Sequence, residues 1–72
     1  MELWKMPGKK VRIMDIDEVI YEGMATDYIY PEDNEPEVEA IIVDYPVRSD
    51  GYKYEYPVEF TAPEIKSIEI IS

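Results

Sequence analysis

Apolar residues fall along this chain in short runs that alternate with polar ones, and no segment sustains the 3.6-residue period of a capped helix. β-branched and aromatic residues lead these runs and turn chemistry separates them, the pattern of a small all-β domain. Val11, Ile13 and Met14 mark a first strand over residues 9–15, and Asp15, Ile16, Asp17 and Glu18 make the turn after it. A long second strand over 19–30 carries Tyr21, Ala25 and Ile29 on one face, with Ile20, Met24, Tyr28 and Tyr30 on the other. Gly23 interrupts it. A glycine inside a strand marks a bulge or a sharp bend, here one that lets a single strand serve two sheets.

Residues 31–37 form a polar loop bracketed by Pro31 and Pro36, neither of which can donate to a ladder. A third strand is predicted over 38–45. Arg48, Ser49, Asp50 and Gly51 give a hairpin turn, and Tyr52, Lys53, Tyr54, Glu55 and Tyr56 alternate aromatic with charged residues as a fourth strand with one packed face. Pro46 and Pro57 each follow a tyrosine on the two arms, so that end of the hairpin should be an edge or a bend. Residues 65–71 supply a fifth strand and residues 2–6 a short helical turn. Five strands, one bent at Gly23, bury their apolar faces by curling into a small barrel.

With 72 residues the chain is expected to be one domain, 1–72, whose core alone supplies roughly 3–5 kcal/mol. Disulfides, metals and oligomers are the usual reinforcements for so small a core. The absence of Cys and His excludes disulfides and the common transition-metal ligand sets, leaving self-association through the edge strands. Net charge is −10 but unevenly placed: residues 1–12 carry +3 and the remaining sixty carry −13. Such a balance repels nucleic acid unless the basic segment is presented alone, and it suits basic or neutral protein partners. The longest apolar run, Ala40-Ile41-Ile42-Val43, is far too short to span a membrane, and the N-terminus lacks a signal-peptide stretch, so a cytoplasmic location is expected.

The first third reads Leu3-x4-Gly8-Lys9-x-Val11-x-Ile13-x3-Asp17-x5-Gly23, and this spacing resembles the first motif of the Sm and Sm-like proteins, bacterial Hfq-type members included. Phe60 followed by Ile65 and the closing Ile68-Glu69-Ile70-Ile71 is similar in outline to the second motif. The resemblance implies a strongly bent five-stranded Sm-like, SH3-like barrel behind a short N-terminal helix, assembled into rings through its last two strands. It gives Gly8, Asp17 and Gly23 structural places at strand starts, turns and the bend. Departures bear on function. Glu18 stands where a glycine is usual, and Ile29 where the family's nucleotide-binding loop has Asp. Thr61-Ala62-Pro63-Glu64 replaces the basic pair of the second motif.

Candidate chemistry is sparse. Asp15, Asp17 and Glu18 cluster at a turn without His, Cys or a phosphate-binding glycine loop, so no catalytic residues are assigned and a non-enzymatic protein is expected. Glu32, Asp33, Asn34, Glu35 and Glu37 offer oxygen ligands but lack the order of a calcium loop, and no metal or cofactor is assigned. Tyr52, Tyr54 and Tyr56, with Ile68 and Ile70, are the expected subunit interface, since tyrosine buries its ring while its hydroxyl keeps a hydrogen bond. Gly51 is expected in the hairpin turn. Trp4, Lys9, Lys10 and Arg12 form the one basic and aromatic group, and repetition around a ring would make it the route to RNA, the alternative function.

Overall fold

The computed structural model describes residues 2–72, and in them the chain folds into a single bent antiparallel sheet of five strands. The strands are β1 (Lys10–Asp15), β2 (Ile20–Ile29), β3 (Ala40–Arg48), β4 (Val58–Thr61) and β5 (Ile65–Ile70). Their spatial order is β4-β3-β2-β1-β5, so the last strand returns to lie beside the first, and β4 and β5 are the two free edges. In β1 the two-residue period places Val11 and Ile13 inside while Lys10 and Arg12 face solvent. A 3-10 turn, Leu3–Lys5, precedes the sheet and lays Leu3 and Met6 on the core with Ala25, Ile41, Val43, Phe60 and Ile65. Among the described residues no polar or charged residue is buried, so the interior rests on apolar packing alone.

The bend falls at Gly23 and has a register cause. Glu22 pairs with Val47 and Met24 with Asp44, so Tyr45 and Pro46 of β3 stand opposite the single residue Gly23. Tyr45 takes φ +43, and Pro46 is fully buried at a place where the ladder has already lapsed, the setting in which a strand tolerates proline. The third strand therefore does not stop at Tyr45 as expected; it runs through this bulge to Arg48.

A second irregularity corrects the expected faces of β2. Ala25 pairs with Val43 and Asp27 with Ile42, leaving Thr26 as an extra residue, and one extra residue exchanges the two faces beyond it. Tyr28, not Ile29, consequently packs against the core alongside Tyr21. The fourth strand is also displaced. Residues 52–56 form no strand beyond an isolated bridge from Lys53 to Val47, and β4 begins only after Pro57. The alternation of that segment is genuine, but the bulge at Tyr45 and the missing donor of Pro46 deny it a continuous partner. The turn ahead of it is as expected: the Gly51 N–H donates to the Arg48 carbonyl at 2.9 Å, with φ +93 at Gly51.

Asp15 organises the β1–β2 turn by accepting the N–H groups of Asp17 and Val19 on Oδ1, both at 2.9 Å. Glu18 sits at φ +64, the left-handed conformation that makes glycine the easier occupant, and an ion pair of 2.7 Å from Lys66 holds its carboxylate. Gly8, at φ +88, donates its N–H to the Ala25 carbonyl at 2.8 Å and feeds the chain into β1.

Candidate interaction surface

The tyrosine-rich hairpin forms the most developed surface of the molecule. Arg48, at the end of β3, spans the turn to bind both carboxylate oxygens of Asp50, Nε to Oδ1 at 3.2 Å and Nη2 to Oδ2 at 2.9 Å. The same guanidinium lies 4.7 Å from the Tyr52 ring centroid and 5.9 Å from that of Tyr54. Its partners hold Asp50 below the usual carboxylate range, through the Arg48 hydrogen bonds first and the Tyr52 N–H second. Rings 52, 54 and 56 meet edge to face, with centroids 4.9 and 5.8 Å apart, in a row rather than on one face of a strand. Tyr54 turns inward to Tyr21 at 6.1 Å, and Tyr21 meets Phe60 of the core at 5.0 Å. An aromatic chain thus runs from the interior to Tyr52 and Tyr56, which remain 50% and 55% exposed.

Tyr21 was not singled out by pattern, because a tyrosine in a predicted strand reads as ordinary filling. Its hydroxyl donates to Asp15 Oδ2 at 3.1 Å, and burial first, then that carboxylate, push its pKa up to about 12. Between the ordinary phenol value near 10 and about 12 the unfolded chain has released this proton and the folded one has kept it, so stability falls as pH rises through that window. In an alkaline titration followed by phenolate absorbance, Tyr21→Phe should remove the last-titrating tyrosine. It should also reduce the stability loss between pH 10 and 12, by about 1–2 kcal/mol after discounting for solvent screening. A titration unchanged by the substitution would refute this.

The other expected site residues are placed as follows. Arg12 donates Nε to Glu22 Oε2 and Nη1 to Glu69 Oε1, each at 2.8 Å, from the strands on either side of β1. Its charge is therefore already matched by two carboxylates. Trp4 is exposed, with Lys5 Nζ 5.2 Å from its ring centroid, and Lys9 and Lys10 are exposed where β1 begins. Ile68 leans partly on the core, while Ile70 remains 48% exposed on the free edge of β5. The β2–β3 loop and the β4–β5 turn come together across an open cleft lined by Asn34, Glu35, Glu59, Thr61 and Glu64. These are the two segments in which the family's nucleotide contacts are expected, and here they supply carboxylates.

The topology and the bend define an Sm-like fold. A crystal structure titled as a novel Sm-like archaeal protein from Pyrobaculum aerophilum superposes on the chain with a TM-score of 0.75 and 17% sequence identity. The match covers 99% of this chain and 49% of that one, so this chain spans about half the length of the solved protein. No protein-family profile and no curated protein matches it. No helix among the described residues is long and apolar enough to cross a membrane.

Proposed function

We propose that this protein is a non-catalytic subunit that joins copies of itself edge to edge, β4 of one against β5 of the next, into an Sm-like ring whose acidic surface receives basic or neutral protein partners. The observation that carries the reading is the strand order, which leaves those two strands as unpaired edges at opposite ends of one sheet. An unpaired edge offers a row of free N–H and C=O groups, and a 72-residue core gains most from burying it. Exposed Ile70 on β5 gives that edge apolar area to bury. The RNA alternative draws on Lys9 and Lys10, but the ion pairs of Arg12 and the carboxylates of the loop cleft weigh against it.

Light scattering tests the assembly. The wild type should run as a multiple of its 8.5 kDa mass, and Ile70→Lys should shift it toward 8.5 kDa with its circular dichroism unchanged. A wild type that stays monomeric at high concentration overturns the reading.

A further inference from the structure

Tyr54 forms one wall of a small pocket closed elsewhere by Tyr21, Val58 and Phe60, so its sides are largely apolar. Asp15, Asp17, Glu59 and Glu64 also line it, and no basic residue does. Its volume is about 190 Å³, below the roughly 300 Å³ at which small-molecule sites begin. Tyr54 also lines a second, more open hollow with Tyr45, Lys53 and Glu55. Exposed Tyr52 and Tyr56 flank the pair along the aromatic row.

We propose that this aromatic surface docks a basic segment of a partner protein, with one lysine or arginine side chain inserted between Tyr54 and the carboxylates. The inference rests on the reading of the chain as an acidic interaction module and names what that module takes. Three observations select the occupant. The walls are apolar where an aliphatic stem would lie, and a lysine or arginine buries its methylenes on such a surface while its head stays polar. The acids supply the opposite charge. Asp15 is already committed, accepting from Asp17, Val19 and Tyr21, and Glu64 Oε1 accepts from Thr61, whereas Glu64 Oε2, Glu59 Oε1 and the Asp17 carboxylate make no hydrogen bond among the described residues. Finally, Asp17, Glu59 and Glu64 line the same pocket as Tyr21 and Tyr54, and no group of three or more acids among the described residues is placed to hold a metal ion. An extended organic cation matches that arrangement, with the Tyr21 and Tyr54 rings lining the same space.

Peptide titration followed by amide and aromatic NMR shifts decides the matter. The probes are acetylated, amidated Ala-Ala-Lys-Ala-Ala, its arginine counterpart and its norleucine counterpart, each against the full chain. The cationic peptides should shift Tyr21, Tyr54 and Val58 saturably in the millimolar range, and the norleucine peptide should not. The double variant Asp17→Asn, Glu59→Gln should bind about fivefold more weakly, and both sites are open enough to leave the fold intact. Shifts spread evenly over all acidic residues, or untouched by the double variant, would mean nonspecific attraction and overturn the proposal. Shifts of the Tyr21 and Tyr54 resonances on diluting the protein alone, beyond the β4 and β5 shifts that dissociation of the assembly produces, would mean a second copy fills the pocket, which also overturns it. Light scattering of the same samples separates the two readings: a monomer that binds the lysine peptide loses the ring and keeps the pocket.

Discussion

Gly23→Ala should cost this domain about 2–3 kcal/mol, a large part of what a core of this size provides. A Cβ built at Gly23 stands 2.7 Å from Val43 Cγ1, 3.1 Å from the Asp44 carbonyl oxygen and 3.2 Å from Pro46 Cα. The first neighbour is a buried side chain with nowhere to turn, and the other two are backbone of the bulge that makes the bend. Relief therefore requires the two strands to separate, and that opens the sheet where it is most curved. Gly8→Ala is the control: space there is open and the strain is conformational only, about 1 kcal/mol from φ +88. Urea unfolding of both variants measures the difference. A Gly23→Ala protein as stable as the wild type would contradict the close approach. Combining Gly23→Ala with Val43→Ala should cost less than the sum of the single changes, because the shortened side chain removes the nearest clash.

Ile13→Ala should be at least as damaging, by about 2–5 kcal/mol. Ile13 is 1% exposed and lies mid-way along β1, opposite Tyr21 on one side and Ile68 on the other. Removing its outer carbons leaves a cavity in a core that, among the described residues, buries apolar side chains and no polar or charged ones. In a domain of this length each kcal/mol lowers Tm by roughly 4–8 °C, so a melting shift well above 10 °C is expected, or no cooperative transition at all. Ile13→Val keeps most of the volume and should cost about 1 kcal/mol. Calorimetry at a fixed protein concentration provides the comparison, since assembly would make Tm depend on concentration. A loss below about 1 kcal/mol for Ile13→Ala would show that β1 is not the centre of the core.

The elements carried by simple periodicity and punctuation were legible beforehand. Val11 and Ile13 alternate cleanly, Gly23 marks the bend, Arg48 to Gly51 makes its turn, and the fifth strand expected over 65–71 is found at Ile65–Ile70. What escaped depends on pairing between segments. Nothing near Thr26 announces that it is the extra residue on β2, because its extra place exists only relative to Val43 and Ile42 on β3. The alternation of Tyr52 to Tyr56 satisfies a strand locally, yet its ladder partner is interrupted by a bulge seven residues upstream of Tyr52. The site divides the same way. Tyr54 and its neighbours stood out as an aromatic series, but their inward link through Tyr21 to Phe60 joins three separate segments. Arg12 looked like a free cation in a basic stretch, and only the sheet order brings Glu22 and Glu69 to either side of it.

The curvature set by Gly23, Tyr45 and Pro46 also has a geometric consequence for the proposed assembly. In that assembly a contact of β4 on β5 would be head to tail, and each added copy would be rotated by the angle between the two edges of one sheet. Such a series closes when that rotation divides a full turn, and otherwise winds on as an open filament. The number of copies in a closed ring of the proposed kind would then be encoded within each subunit, in how far one glycine lets its strand fold over.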